Sequence, residues 1–517
     1  MSRASTSGDD VMQTTDPTTL STQLAGLSSG AFKIQAQVLI EAAEANIARI
    51  ESQIRDLEHL RDRERGIVTQ LRMAIAPVNK LPAELLVEVF LLVCDNPPYQ
   101  DRIRQTLALS QACAYWRRVA HSTPRLFREA VYNTLQRTPS ANYLDGTKQW
   151  LGRSSPFPIS VHLNVSDDRV QAEPLMDILA TAAHRWKTAD FRVSSLRTLS
   201  HISAASLSLL ERLNLQSPGW SHHAEVSAFS AADKLRSVHL DTCLTSRFLL
   251  PWSQLTHMSI KDSNPIECLN ALVQCTNIVG ADFETNPWSW NSPPDIPLGK
   301  MTTLERLTSL SLDFEVDCQS GSCAPFFAHL ALPALTSLTL CLMDSLWPSA
   351  EFTQFQIRSP HLEQLRIERS DLDTMELLTL FRQASSLISL TLECCVHCID
   401  DNIFDALRYS PTATLNVVPK LTTFVCSYAR NRFSEEALDN MIQSRWWTDQ
   451  ELSTLPPPAV SRWSCIGIHS DDQETHLSTW FGAKLEGYQS QDLDVWVQGY
   501  KNFLPSELSA ESKRRSN

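Results

Sequence analysis

Leu307-Thr-Ser-Leu310-Ser-Leu312, Leu335-Thr-Ser-Leu338-Thr-Leu340, Leu362-Glu-Gln-Leu365-Arg-Ile367 and Leu387-Ile-Ser-Leu390-Thr-Leu392 share one pattern, apolar-x-x-apolar-x-apolar. Alternation over the last three positions is that of a short strand with one buried face. Upstream the pattern recurs at Leu210/Leu213/Leu215, Leu235/Val238/Leu240 and Leu255/Met258/Ile260. Weaker copies stand at Trp186/Ala189/Phe191, Ile278/Ala281/Phe283 and Leu421/Phe424/Cys426. Successive starts lie 24, 25, 20, 23, 29, 28, 27, 25 and 34 residues apart. Helical spacing fills some of the gaps, most clearly in 266–273 and 375–381. One strand–helix unit cannot bury its apolar face alone, so near-regular copies imply stacking into a solenoid.

The spacing and the leucine positions resemble a leucine-rich repeat, whose period is ~20–29 residues. That repeat carries Asn or Cys three positions after its last apolar residue, where this chain has Cys243 and Cys395. In such a solenoid the residues interleaved with the leucines line the concave face. The long or polar ones among them, Arg212, Asn214, His239, His257, Gln364 and Arg366, are the candidate substrate-binding residues. The other interleaved positions are mostly Ser and Thr, and no catalytic grouping is visible. Asp241, Asp313, Glu368 and Glu393 follow the strands and could form an acidic stripe suited to a basic partner, or plain solvated surface.

Upstream of the repeats the period changes to that of helices. Over 34–73, Ile40, Ile47, Ile54 and Val68 recur seven or fourteen apart, with Ala43, Ile50, Leu57 and Leu71 as companions and charged residues between. This is the a/d seam of a coiled coil, broken at Arg61 and Glu64. It is consistent with a homodimer through 34–73, with an antiparallel hairpin, or with a helix packed on its own domain. Pro77 ends the helix. A second apolar face follows at Leu85, Leu86, Val89, Phe90 and Val93, then a loop with Pro97-Pro98 and a helix expected over 103–120.

Leu81-Pro82, Glu84-Leu85-Leu86, Cys113-Ala-Tyr-Trp116-Arg117 and Thr123-Pro-Arg-Leu126-Phe127 come in the order of an F-box. The stretch resembles that family over about 50 residues, and with the preceding helix it is similar to a large class of fungal F-box-like proteins. Phe127 stands where the family more often has Trp, and Pro97-Pro98 is an insertion. The resemblance implies binding to a Skp-family adaptor, and through it a cullin, with the repeats holding a protein substrate. Carried over by position, the adaptor-facing residues are Leu81, Pro82, Leu85, Leu86, Val89, Phe90, Trp116, Leu126 and Phe127. A scaffold that dimerises through the coiled coil without an adaptor is the alternative.

The expected fold class is an α+β repeat protein. It comprises a disordered tail (1–30), a coiled-coil helix (31–76) and an F-box-like domain (77–135). A leucine-rich-repeat-like α/β solenoid with its cap (136–470) and a partly disordered extension (471–517) follow.

Composition narrows the function. With 45 basic and 58 acidic residues the net charge is −13, the wrong field for a nucleic-acid binder. Glycine numbers only 14, and no GxGxxG, GxxxxGK[ST] or HExxH occurs. No cofactor and no metal is implied. The Cys394-Cys395-Val-His397-Cys398 cluster lacks the second ligand pair that zinc requires. Cys318 and Cys323 read as incidental loop thiols, and His469 to His476 as a hydrated turn. With no apolar run of membrane-spanning length and no signal-peptide core, the expected compartment is cytoplasm or nucleus.

Overall fold

The computed structural model describes residues 29–499, apart from 96–98, 133–134, 166, 168, 195, 204–206, 217–225, 242–247, 264, 286–300, 315–322, 343–346, 396, 411–415, 429–432, 450, 452–459, 471–477 and 492. Most of the expected tail, Pro97-Pro98, Cys243, Cys318, His476 and the last 18 residues lie outside the described residues. The chain divides into two compact units, Met1–Glu88 and Val89–Asn517.

The first unit is dominated by α1 (Ser29–Ile75), 47 residues long and hence ~70 Å at ~1.5 Å per residue. Pro77 opens a short 3-10 turn, Pro77–Lys80, and Leu81 is extended, as a residue before proline prefers. Helix α2 (Ala83–Asp95) starts there, with Leu86 N–H donating to the Pro82 carbonyl at 3.1 Å. It runs on through the division at Glu88.

In the second unit the helix expected over 103–120 is two: α3 (Tyr99–Ala112) and α4 (Ala114–His121). The break is at Cys113, whose backbone is extended and whose thiol accepts from Trp116 N–H at 3.4 Å. A side chain that satisfies a helix's free N–H favours starting a new helix there. The short turn Pro124–Phe127 then buries Leu126 and Phe127. Phe90 packs edge-on against Trp116 at 5.0 Å, and Phe127 against Trp150 at 4.8 Å.

The rest of this unit alternates strands with return segments. In order these are β1 (Glu129–Tyr132), α5 (Ala141–Arg153), β2 (Ile159–Val165), α6 (Glu173–Ala180), β3 (Trp186–Val193), β4 (Arg212–Gln216), β5 (Ser237–Asp241), β6 (His257–Ser263) and α7 (Pro265–Gln274). Next come β7 (Gly280–Thr285), β8 (Thr302–Thr303), β9 (Ser309–Phe314), α8 (Ala324–His329), β10 (Leu330–Ala331), β11 (Ser337–Leu342) and α9 (Ser349–Arg358). The last are β12 (Gln364–Glu368), α10 (Thr374–Gln383), β13 (Ser389–Glu393), α11 (Asp401–Leu407), β14 (Thr423–Tyr428), α12 (Glu435–Ser444), β15 (Cys465–Ser470), α13 (Thr479–Gln489) and β16 (Asp494–Gly499).

Fourteen of these strands form one sheet in chain order, while β8 and β10 pair separately. Every pairing is parallel. Parallel neighbours need a crossover between them, and when each crossover returns to the next position the result is a solenoid. The register puts the repeat's apolar positions in continuous rows. Leu310, Leu338, Leu365, Leu390 and Phe424 align, as do Leu312, Leu340, Ile367, Leu392 and Cys426. All ten are buried.

A second ladder runs just ahead of the strands. Thr256, Thr308, Thr336 and Thr422 each donate both their N–H and their hydroxyl to one carbonyl of the preceding repeat. The signal was present as Leu-Thr at the head of four copies, since a threonine there satisfies the incoming edge of each turn.

The sheet is wider than the 136–470 solenoid expected from the sequence. It begins at Glu129 and ends at Gly499. In the last copy Val495 is in register with Ile466, but Asp492 holds the leading apolar position, so the six-residue pattern is broken there. Ser434 caps α12, accepting from Ala437 N–H at 3.1 Å, yet this helix is not terminal: β15, α13 and β16 continue the array.

Candidate interaction surfaces

One face of the sheet carries the polar positions that alternate with the buried rows. Arg212, Ser237, His257, Gly280, Ser309, Ser337 and Gln364 align across it. Beside them run Asn214, His239, Ser259, Asp282, Ser311, Thr339 and Arg366. Of the residues expected to hold a substrate, Arg212, Asn214, His239 and His257 come together on β4, β5 and β6. Gln364 and Arg366 sit on β12, four strands from β6, about 19 Å at ~4.8 Å per strand.

At the centre of this face is a shallow hollow of about 310 Å³ over β5, β6, β7 and β9. Its floor is low because Gly280, Ser309 and Ser311 have little side chain; a Cβ at Gly280 would touch the His257 ring at 3.2 Å. Burial, then Lys261, hold the His239 ring below its ordinary pKa. Asp282 accepts from the Ser259 hydroxyl at 3.2 Å. The hollow thus offers hydroxyl and imidazole groups beside one carboxylate. Among the described residues, none of its serines hydrogen-bonds to either histidine.

The four acids expected to form a stripe do align, in the row Asp241, Lys261, Glu284, Asp313, Cys341, Glu368 and Glu393. The row is not a continuous negative surface. Lys261 pairs with Glu284 at 2.6 Å. Arg366 is held between Glu368 and Glu393, the latter at 2.7 Å. Its guanidinium is therefore already engaged, by Glu368 two residues along its own strand and by Glu393 on the neighbouring β13.

The residues carried over as adaptor-facing also divide. Leu86, Phe90, Leu126 and Phe127 are buried, which corrects their placement on a binding face. Leu81 and Trp116 are partly buried, and Pro82 is exposed. On α2, Leu85 is exposed in the first unit, and Val89, Leu92 and Val93 in the second. The spacing of Val89, Leu92 and Val93 is that of one helical face. Leu92 was missed from sequence because its neighbour Leu91 is buried, and an all-apolar run does not reveal which side faces inward.

A half-buried polar cluster also escaped the sequence reading. Glu129 on β1 accepts from Arg102 of α3 at 3.1 Å and lies 3.8 Å from His162 on β2. The other ring nitrogen of His162 is 3.3 Å from Asp190 on β3. Burial opposes charge on His162, but the bonds to Asp190 and Glu129 outweigh it and raise its pKa to about 9. The raised value means that the charged ring stabilises the fold fully below ~6.5, its ordinary pKa, and that this is lost as pH rises through about 9. Thermal stability should therefore fall between pH 7 and 9.5, by on the order of 1–3 kcal/mol. A His162→Gln variant should show a flatter profile over that range in a thermal melt series; an unchanged slope would remove His162 as its cause.

Cys395 is buried, its thiol donating to the Ile367 and Glu393 carbonyls at 3.5 and 3.4 Å, and burial pushes its pKa up to about 12. It fills the turn after β13. Among the described residues no group of three His, Cys, Asp or Glu side chains is placed to hold a metal ion. Nor is any described helix long and apolar enough to cross a membrane.

No protein-family model matches the chain, and no curated protein matches it. Among solved structures it is similar to a chain in the crystal structure of a TLR13–ssRNA13 complex, at 11% identity and a TM-score of 0.26. The similarity covers 63% of this chain and 50% of that one, so this chain spans about half the length of that protein.

Proposed function

We propose that the chain is the substrate-recognition subunit of a Skp–cullin–F-box-type ubiquitin ligase, with an F-box-like module at 77–135 and a leucine-rich-repeat-type substrate domain. The observation that carries this reading is the apolar face of α2. Val89, Leu92 and Val93 stay exposed on a helix whose other side, Phe90, Leu91 and Cys94, is buried. An exposed apolar stripe of this kind suits a partner's helical surface. It coincides with the segment that resembles an F-box.

The open face of the sheet, with its hollow at His239, His257 and Asp282, would hold the protein substrate. The chain itself would perform no bond chemistry. Catalysis would be by proximity, a substrate lysine being held at high effective concentration near a ubiquitin-carrying enzyme. The net charge of −13 argues against nucleic acid as the bound partner.

The test is co-expression with a Skp-family adaptor, wild type beside Val89→Glu/Leu92→Glu, followed by size-exclusion chromatography. Both positions are exposed, so the variant should fold. A stable complex for the wild type, lost in the variant, is expected. A folded wild type that forms no complex would sink the adaptor assignment. A scaffold acting without an adaptor is then the reading that remains, favoured by the exposed seam of α1.

A further inference from the structure

Helix α1 leaves its whole heptad seam in solvent. Ile40, Ile47, Ile54 and Val68 at position a, and Ile50, Leu57 and Leu71 at position d, are each 39% exposed or more. A long helix owes its stability mainly to packing of its apolar face rather than to propensity. Seven large apolar side chains in one stripe therefore call for a partner helix. A second copy of α1 is the occupant whose chemistry can be read from the helix itself.

The charges decide the orientation. With Ile40 at a and Ala43 at d, position e is filled by Glu44, Glu51, Glu58, Arg65 and Arg72. Position g is filled by Leu39, Asn46, Gln53, Leu60 and Ile67, none of them charged. In a parallel pair the e residues of one helix meet the g residues of the other, so the acids and arginines would find no counter-charge. The seam would also set Arg61 against Arg61 and Glu64 against Glu64. In an antiparallel pair e meets e. A two-fold axis at Glu58 then places Glu44 opposite Arg72 of the second copy and Glu51 opposite Arg65, in both halves at once. Only the central Glu58 pair is unfavourable. Among the described residues, Glu44, Glu51 and Arg72 form no ion pair on their own helix, and Arg65 reaches only Asp62, at 3.8 Å.

We propose that the chain forms a homodimer through α1 as an antiparallel two-stranded coiled coil centred on Glu58. This rests on α1 alone and is independent of whether the chain binds an adaptor.

The test uses the full chain and measures mass and dissociation constant by sedimentation equilibrium, with circular dichroism confirming that each variant keeps its helix content. The wild type is expected to be a dimer. Ile47→Glu/Ile54→Glu should be monomeric. Arg65→Glu/Arg72→Glu should weaken the dimer at least about tenfold, by replacing attraction with repulsion in four pairs. Adding Glu44→Arg/Glu51→Arg to that variant should restore the wild-type constant, because only the antiparallel register sets the swapped charges against one another. A monomeric wild type overturns the proposal, as does a dimer indifferent to the first charge swap. Failure of the combined swap to restore affinity overturns the antiparallel register.

Discussion

Replacing Phe352 by alanine is expected to cost the fold about 3–5 kcal/mol, the range for emptying a buried aromatic site. Phe352 is 1% exposed on α9. Its ring lies 5.3 Å from Phe327, 4.7 Å from Trp347 and 5.9 Å from Phe355. These rings pack the helical side of the array, where α8, α9 and α10 adjoin. Three large neighbouring rings cannot collapse into the space without breaking their own packing, such as the edge-on contact of Phe327 with Phe355, so the cavity term should be near its upper end. Because a solenoid's stability is the sum of repeats and their interfaces, the loss should appear first as local opening. Amide exchange in α9 and β12 should accelerate more than in β2 or β3. Urea denaturation should give a lower midpoint or a new early transition. A variant with unaltered exchange in α9 would show that the cluster repacks.

The second large effect is expected at Arg445, which is fully buried. Its guanidinium donates to the Val417 and Val418 carbonyls at 3.0 and 3.2 Å and lies 5.1 Å from the Trp463 ring centre. Burial lowers its pKa to about 10, which measures how unfavourable the charge is there. The two carbonyls flank a strained turn, since Val418 has φ of 39°, a left-handed conformation costly for a β-branched residue. Arg445→Ala would take the guanidinium donor from the Val417 carbonyl, leave the Val418 carbonyl with the Leu421 N–H alone, and open a void beneath Trp463, costing about 3 kcal/mol or more. Arg445→Met should recover part of this loss, because it refills volume without the desolvation cost of a buried cation. Tryptophan fluorescence during urea unfolding would follow both variants. If methionine is no better than alanine, the hydrogen bonds to the turn outweigh the packing.

The C-terminal end shows why some of the array was hidden from sequence. Gly467 on β15 faces Trp496 on β16, and a Cβ at Gly467 would sit inside the indole ring. That close approach pairs the smallest residue of one copy with the largest of the next. The first of these copies keeps the pattern, at Trp463, Ile466 and Ile468, but the second breaks it at Asp492, so its strand was not visible by periodicity. The break at Cys113 was hidden for a similar reason: a thiol acting as helix cap leaves no apolar signature.

The sequence by itself determined the repeat, its period, the rows of leucines facing inward and the long N-terminal helix with its seam. Each of these follows from local periodicity, which burial of one face imposes on the chain directly. It also determined that Arg212, Asn214, His239 and His257 share the open face, because alternation along a strand fixes the side on which a residue lies. Only the tertiary structure decided which of these residues meet. The register between neighbouring strands brings Glu393 to Arg366 and places His162 between Glu129 and Asp190. It also decided that Leu86 and Phe90 face inward while Leu85, Val89 and Leu92 face solvent. In the all-apolar run Val89–Cys94, orientation is set by what packs against it, and that is not written in its own period.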